Sequence, residues 1–229
     1  MENSKQNSAL RDSVSVSPWQ ETAAVEAGQA TAAENQAVRV YDCLIIGAGI
    51  TGITTALLLQ RVGLSCVIAE ARQSGFGTTG GTSAHLNTFF DATYPEVESD
   101  FGEDAAKLLA AGGKEAMGMI EGFVKELSID CDLESKTAWL YAENEKESKQ
   151  LQKILEASKR AGISVEVADE NPVPVAFDSV ICFENQGQFH PLKYINGLLA
   201  EFLKLGGVLL ENTRIKESTV EDGIYTTRS

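Results

Sequence analysis

Residues 41–70 read YDCLIIGAGITGITTALLLQRVGLSCVIAE. The short apolar run from Cys43 to Ile46 predicts a buried strand, and an apolar helix follows it to about Gln60. Gly63 breaks the pattern, and a second apolar run ends in Glu70. The stretch therefore predicts a βαβ unit of about 30 residues, which is the size that a mononucleotide-binding unit requires.

Three glycines stand between the first predicted strand and the helix. Gly47 permits a tight turn, Gly49 lets the backbone approach a pyrophosphate, and Gly52 lets the helix pack closely on the strand. The free N–H groups and the positive end of the helix dipole would face the phosphate charge. Glu70 ends the second strand about 20 residues on, where a carboxylate accepts hydrogen bonds from ribose hydroxyls. These features favour a dinucleotide site over a glycine-rich turn in an unrelated α/β protein.

The composition limits the classes of partner. The chain has 229 residues and a formal net charge of −14, which argues against nucleic acid and anionic membranes. The sequence contains no apolar run of the length that a membrane-spanning helix needs. Four cysteines form no CxxC pair, and we interpret Cys43 and Cys66 as core residues of the two predicted strands. A reducing, cytoplasmic setting fits this pattern.

Residues 1–37 are rich in Ser, Ala, Gln and Glu, and they contain few large apolar side chains. Such a composition does not bury enough surface to order itself, so we predict a disordered leader. Within it, Val14 to Thr22 contains Trp19, and we consider docking of this segment onto the domain.

The segment after Glu70 is a second glycine-rich stretch. Residues 73–84 read QSGFGTTGGTSA, which offers backbone N–H groups and hydroxyls but no carboxylate. The segment is either a flexible linker or a loop that contacts the cofactor. Its position directly after the ribose-binding acid favours the cofactor loop, the name used below for residues 73–84.

The remaining elements follow from periodicity and breakers. Two helices are predicted between Glu96 and Leu127, and Asp100 is predicted to cap the second together with Glu103. Further helices are predicted over 145–161 and 192–205. Strands are predicted over 137–142, 163–167, 180–183, 208–210, 213–216 and 223–227, with a hairpin around residues 221–223.

Four motifs together resemble one enzyme family. They are IIGAGITG at 45–52, Glu70-Ala71-Arg72, GTTGGTSAHL at 77–86 and QFHPLKYINGLL at 188–199. They resemble the FAD-dependent oxidoreductases of the D-amino-acid oxidase type, which include glycine and sarcosine oxidases, and most closely members with a C-terminal Rieske domain. The resemblance implies an α/β fold: a Rossmann-type, GR2-like FAD-binding domain with an inserted, incomplete α+β substrate domain. It places the incomplete FAD-binding domain at 38–135 and 185–229, and the start of the substrate domain at 136–184.

The resemblance also implies roles for individual residues. The glycine motif would lie against the FAD pyrophosphate, Glu70 would bind the adenosine ribose, and Arg72 would contact the adenosine side or the phosphates. The threonines and serine of the cofactor loop would bind the pyrophosphate or line the route to the flavin, and Ile215 would offer backbone contacts to adenine. The implied cofactor-binding residues are Gly47, Ala48, Gly49, Ile50, Thr51, Gly52, Glu70, Ala71, Arg72, Thr78, Thr79, Gly80, Thr82, Ser83 and Ile215.

The chain departs from the family pattern at its end. Family members continue past this point through further strands that complete the parallel sheet, so this chain is expected to be a C-terminally truncated fragment with an exposed sheet edge. No Cys-x-His or Cys-x-x-His pair of a Rieske centre is present. An electron acceptor or a Rieske domain would therefore lie outside this chain.

In such flavoenzymes the cofactor accepts a hydride from the C–H bond next to an amine nitrogen, while the protein supplies placement and electrostatics. The sequence shows no nucleophile–base triad, and we assign no catalytic residue. We interpret His85 and His190, the two histidines, as structural in preference to a flavin-facing role for His85. We expect no metal site, since no cluster has ligand spacing.

Three functions stay open. The first is an FAD-dependent oxidoreductase that acts on an amine or amino acid. The second is an NAD-dependent dehydrogenase, because Glu70 suits the ribose of either cofactor, although the cofactor loop disfavours it. The third is a truncated, non-catalytic remnant that binds nucleotide weakly.

Overall fold

A computed structural model of the chain describes residues 16–22, 40–170, 172 and 174–229. Most of the predicted leader, and Val173, lie outside the described residues. The chain divides into two compact units. The first holds residues up to Ser83 together with 126–131 and 190–229, and the second holds 84–125 and 132–189.

The first unit contains a three-stranded parallel sheet. Its strands are β1 (Cys43–Ile46), β2 (Cys66–Ala69) and β7 (Val208–Leu210), in the order β1-β2-β7. Cys43 pairs with Cys66, and Val67 with Val208, so β2 is the central strand and all four of its residues are buried. The four-residue runs of apolar side chains are typical of parallel strands covered on both faces.

The described residues of this unit form four helices: α1 (Pro18–Thr22), α2 (Ile50–Arg61), α3 (Thr78–Gly81) and α7 (Pro191–Lys204). α2 joins β1 to β2, which confirms the predicted βαβ unit. α7 buries an apolar face that includes Ile195, Leu198 and Phe202. Gly207 follows α7, and a Cβ at this position would lie 2.3 Å from the Phe202 ring, so the chain turns back into β7 only with glycine there.

β1 forms an edge of this sheet in the described part of the chain. Its side chains alternate between half-buried and exposed, and Ile46 is 65% exposed. The exposed edge that the family resemblance implied is present among the described residues. The prediction that Cys43 to Ile46 form a buried strand is wrong, because this edge position leaves Leu44 and Ile46 exposed.

The second unit contains an antiparallel sheet of β3 (His85–Leu86), β4 (Glu134–Ala142), β5 (Val165–Ala168) and β6 (Ser179–Gln188). β6 pairs with the other three strands, and a bulge interrupts its pairing with β4 between Lys136 and Ala138. The helices are α4 (Tyr94–Phe101), α5 (Glu103–Leu127) and α6 (Glu145–Arg160). Leu151 and Leu155 of α6 share a buried cluster with Ile181 and Phe183 of β6.

A two-stranded hairpin, β8 (Glu217–Glu221) and β9 (Ile224–Arg228), ends the described chain. Asp222 and Gly223 have positive φ angles of 48° and 78°, as a type I′ turn requires. The predicted hairpin is confirmed, but the predicted strand over 213–216 is wrong. The Thr213 N–H donates to the Glu70 carbonyl, so the start of this stretch is bonded beside β2. Only its last residue, Lys216, joins the hairpin, because the Lys216 N–H donates to the Arg228 carbonyl.

One other local prediction is wrong. Asp100 lies inside α4, and the capping box is formed one helix earlier by Thr93 and Glu96, while Gly102 with a φ of +89° separates α4 from α5. The cofactor loop is not entirely irregular, because α3 lies within it.

None of the helices in the described ranges is long and apolar enough to cross a bilayer.

Candidate cofactor site

The glycine motif forms the turn between β1 and α2, and its geometry requires glycine at two positions. Gly47 has a φ of +105°, which side-chain-bearing residues rarely adopt. A Cβ on Gly52 would lie 2.0 Å from the Gly47 carbonyl oxygen and 3.3 Å from Ile45 of β1. The predicted reasons for these glycines, a tight turn and close helix–strand packing, are confirmed.

Gly49 is the N-cap of α2 and has no side chain to occupy the N–H groups of the first helical turn. A hydroxyl from the cofactor loop reaches this turn: Thr79 Oγ1 accepts from the Ile50 N–H at 3.0 Å. A Cβ on Gly49 would lie 3.0 Å from the same Thr79 oxygen. Oxygen acceptors therefore approach the amino end of α2 closely only because residue 49 is glycine.

Glu70 is held directly beside the glycine motif. Its Oε2 accepts from the Ala48 N–H at 2.8 Å, and its Oε1 accepts from the Arg72 N–H at 2.8 Å. Its backbone is fixed as well, because the Glu70 N–H donates to the Leu210 carbonyl. A carboxylate has about four acceptor positions, so these two bonds leave capacity for hydroxyl donors.

The start of the cofactor loop is hydrogen-bonded to the glycine motif and to the residue that follows β7. The Ser74 N–H and the Ser74 hydroxyl both donate to Glu211 Oε1, at 2.7 and 2.8 Å. Glu211 is the residue directly after β7. The Gly75 N–H donates to the Ala48 carbonyl at 2.8 Å. The Arg72 guanidinium lies 4.8 Å from the centre of the Phe76 ring, a cation–π contact.

The structure brings most of the predicted site residues to one part of the first unit. Glu70 contacts the glycine motif, and Thr79 contacts the first turn of α2. Gly80 is buried, while Thr51, Thr78 and Ser83 are exposed and Ala71 and Thr82 are half-buried. Ile215 is half-buried in the irregular stretch between β7 and β8, and no hydrogen bond places it at the glycine motif.

The docking considered for Val14 to Thr22 is confirmed for its described part, because Ser17, Trp19 and Gln20 donate to carbonyls of the cofactor loop. Sequence reasoning named none of these individual contacts, and it missed the bonds between Ser74 and Glu211. One signal was available for Glu211, an acid directly after an apolar strand at the carboxyl edge where Glu70 also lies. The sequence offered no comparable signal for Gln20 or Ser74.

The two histidines differ in environment. His190 is buried, and its Nδ1 accepts from the Lys193 N–H at 3.3 Å as the N-cap of α7, which confirms its structural interpretation. His85 lies exposed in β3, paired with Gln188. Its role stays a prediction.

All four cysteines lie in the described ranges, and none of them is in a disulfide. Cys66 of β2 is buried, and burial, with a smaller contribution from the neighbouring Cys43 thiol, raises the pKa of Cys66 to about 11. Cys66 is therefore an inert strand thiol at neutral pH. Cys43 of β1 is only half-buried, so its interpretation as a core residue is correct only in part. Within the described ranges, no three His, Cys, Asp or Glu side chains cluster as metal ligands.

These residues fit a dinucleotide. A pyrophosphate requires close access to the first-turn N–H groups of α2, and the absence of a side chain at Gly49 leaves that access open. A ribose requires a hydrogen-bond acceptor, which the Glu70 carboxylate supplies from its fixed position beside the glycine motif.

Comparison with known proteins agrees with this geometry. A family model described as FAD dependent oxidoreductase (DAO) matches residues 42–228. The "Putative Rieske 2Fe-2S iron-sulfur protein YhfW" of Bacillus subtilis is 37% identical over 172 residues, covering 75% of this chain and 34% of that protein. Gamma-glutamylputrescine oxidoreductase of Escherichia coli is 29% identical over 172 residues, covering 72% of this chain and 40% of that protein.

Among solved structures, glycine oxidase from Geobacillus kaustophilus superposes with a TM-score of 0.69 at 18% identity. The match covers 82% of this chain and 50% of that enzyme, and it shows a shared fold. The chain thus spans between about a third and a half of the length of these three proteins.

Proposed function

The chain belongs to the DAO family of FAD-dependent oxidoreductases, and from that premise we propose that it binds FAD at the amino end of α2 and serves the oxidation of an amine or amino acid. One observation carries the proposal: the Glu70 carboxylate is fastened 2.8 Å from the Ala48 N–H, inside the glycine turn. A ribose hydroxyl and an adjoining diphosphate need this pairing of an acid with the amino end of a helix.

We assign the cofactor as follows. The pyrophosphate lies against the first turn of α2, at Gly47 to Gly52, and Glu70 takes the adenosine ribose. Arg72, which rests on Phe76, neutralises phosphate charge or borders the adenosine. Ile215 offers backbone contacts to adenine. The cofactor loop supplies its remaining polar groups to the pyrophosphate or the route to the flavin, namely Thr78, Thr79, Gly80, Thr82 and Ser83.

FAD, when bound, supplies the redox chemistry by accepting a hydride from a C–H bond next to nitrogen. The chain's own residues bind and orient the cofactor. The N–H groups of the glycine turn offset the charge of the diphosphate, and Glu70 fixes the ribose. The buried strand β2 holds Glu70 in place through its pairing with β1 and β7.

We place the start of the substrate domain, predicted at 136–184, in the antiparallel sheet of the second unit. Trp139 and Tyr141 of β4 alternate with the partly buried Ala138 and Leu140 and the buried Ala142, which pack with Leu151 and Phe183. Trp139 and Tyr141 therefore lie on the opposite face of this sheet. The names of the relatives support an amine or amino acid as substrate, since one oxidises gamma-glutamylputrescine and another glycine.

We further propose that electrons leave through an acceptor or a Rieske domain outside this chain, which the likeness to the Bacillus subtilis protein supports. The net charge of −14 gives nucleic acid no electrostatic reason to bind. Four cysteines without disulfides support a reducing, cytoplasmic setting.

The test is an FAD titration of the unaltered chain, Gly49→Val and Gly118→Val. Gly118 is an exposed glycine of α5 with open space around its Cβ position, so it is the matched control. We expect Gly49→Val to weaken FAD binding at least about tenfold, or 1.4 kcal/mol, and Gly118→Val to leave it unchanged. Equal uptake by both variants would contradict the proposed site.

The same titration separates the two alternatives. An NAD-dependent dehydrogenase would take up NAD in preference to FAD and would show no visible flavin band. A non-catalytic remnant would bind both dinucleotides weakly. The family description favours FAD over NAD.

A further inference from the structure

We propose that Ser17, Trp19 and Gln20 are positioning residues for the cofactor loop: helix α1 braces residues 76–82 in one conformation before FAD binds. The inference rests on the proposed function, because the loop matters only if it meets the cofactor. It concerns a segment about 20 residues before the nucleotide-binding strand, which the family model, matching from residue 42, does not include.

Three donors of this segment reach three carbonyls of the loop. The Ser17 hydroxyl donates to the Gly80 carbonyl. Trp19 Nε1 donates to the Thr82 carbonyl at 2.8 Å, and Gln20 Nε2 donates to the Phe76 carbonyl at 3.3 Å. In a trans peptide the next N–H points away from the carbonyl. The three bonds therefore turn the N–H groups of the following residues, Gly77, Gly81 and Ser83, away from α1.

The contact with α1 is close at Gly80. A Cβ on this buried glycine would lie 2.8 Å from Gln20 Nε2 and 2.3 Å from the Gly75 carbonyl oxygen. The adjoining residue, Thr79, accepts from the Ile50 N–H in the first turn of α2. The brace is thus one residue removed from the loop hydroxyl that contacts the proposed pyrophosphate site.

α1 itself is anchored on α7. The Trp19 ring meets His190 edge-on at 5.1 Å, and Thr22 Oγ1 lies 3.1 Å from His190 Nε2. The Thr22 hydroxyl donates to the Pro18 carbonyl at 2.7 Å, and His190 Nδ1 accepts from the Lys193 N–H. These bonds assign the ring proton to Nε2, which donates to Thr22. A five-residue helix is too short to persist alone, so these contacts are what order it.

The hydrogen bonds from Ser17, Trp19 and Gln20 to the cofactor loop should affect the affinity for FAD. Residues 77–83 are all Gly, Thr or Ser, and ordering such a flexible loop carries an entropic cost. If α1 orders the loop in the cofactor-free protein, the cofactor does not bear that cost when it binds. Removal of the three donors should therefore weaken FAD binding as well as loosen the loop.

The test compares the full chain with the triple variant Ser17→Ala/Trp19→Phe/Gln20→Leu. The variant removes the three hydrogen-bond donors but keeps most of the side-chain volume and an aromatic ring at position 19 against His190. Glu21→Ala, an exposed position of the same helix, is the matched control. We expect about tenfold weaker FAD binding and faster amide hydrogen exchange in residues 76–82 of the cofactor-free triple variant. Trp19→Phe alone should show the same changes to a smaller extent, and it serves if the triple variant does not fold.

Unchanged exchange in residues 76–82 would overturn the proposal, and so would a lower melting temperature with unchanged FAD affinity, which indicates a merely structural role. If the unaltered chain takes up no FAD, the proposed function fails for this chain. The exchange comparison then still decides whether α1 orders the loop, since it needs no cofactor.

Discussion

The two glycine-rich stretches of the first unit, the glycine motif at 47–52 and the cofactor loop at 73–84, reach defined conformations in different ways. The motif is shaped by its own backbone: Gly47 takes a positive φ, and Gly52 leaves no space for a Cβ against the Gly47 carbonyl. The cofactor loop is held from outside. Its partners Trp19 and Glu211 lie 63 and 137 residues away from the residues that they contact.

The difference shows that two segments of similar glycine-rich composition are held in their conformations by different interactions. Steric exclusion within six residues specifies the motif in any chain that forms the strand and helix around it. The loop depends on hydrogen bonds that exist only when β7, α7 and α1 have docked. A single substitution in the glycine motif should therefore disrupt its whole conformation. In the cofactor loop, each lost hydrogen bond should loosen only part of the backbone.

The largest effect is expected for Gly52→Ala. The added methyl would lie 2.0 Å from the Gly47 oxygen, which forces the backbone apart and should cost about 3 kcal/mol of unfolding free energy. Gly122→Ala is the control, because its Cβ meets open space in α5 and should stabilise the helix by up to about 1 kcal/mol. Urea unfolding measures both, and equal midpoints would show that the motif tolerates a side chain.

The unfolding free energy should fall at alkaline pH because of Cys66 in β2, the strand that lies between the two glycine-rich stretches in the sequence. Because burial raises the pKa of Cys66 from 9.0 to about 11, its contribution to stability is complete below pH 9 and is lost as the pH rises through 11. By linkage, the loss of unfolding free energy is up to roughly 3 kcal/mol. Comparison of the unfolding free energies of the unaltered chain and Cys66→Ala from pH 8 to 11 measures it. The variant should lack this part of the alkaline loss, and parallel curves would refute the prediction.

The smallest effects are expected in the cofactor loop alone. Glu211→Ala removes the acceptor of two hydrogen bonds from buried Ser74 and should cost about 2 kcal/mol, whereas Ser74→Ala removes one bond and should cost about 1 kcal/mol. The exposed Glu217→Ala is the control. Amide exchange should accelerate in 73–82 and stay unchanged in 47–52. Equal acceleration in both stretches would remove the distinction between them.

Several elements were predictable because their determinants are local. The βαβ unit, α6 and α7 follow from apolar periodicity between glycine and proline breakers, and the reasons for Gly47 and Gly52 follow from the motif. The first arm of the hairpin was placed at 213–216 instead of Glu217–Glu221, because Thr213 is bonded to Glu70, far away in the sequence. The cap attributed to Asp100 was misplaced because Thr93 offers a competing capping box one helix earlier.

By itself, the sequence determined the parallel βαβ unit, the glycines of its turn and the acid that closes β2, because steric limits and periodicity act between residues near each other in the chain. Only the tertiary structure decided what holds the cofactor loop. Glu211, Trp19 and Gln20 reach it from 137, 63 and 56 residues away. The sequence marks the acid at 211 and the tryptophan at 19, but it does not show which loop residue each of them bonds, because a single hydrogen bond across such a separation leaves no periodic pattern.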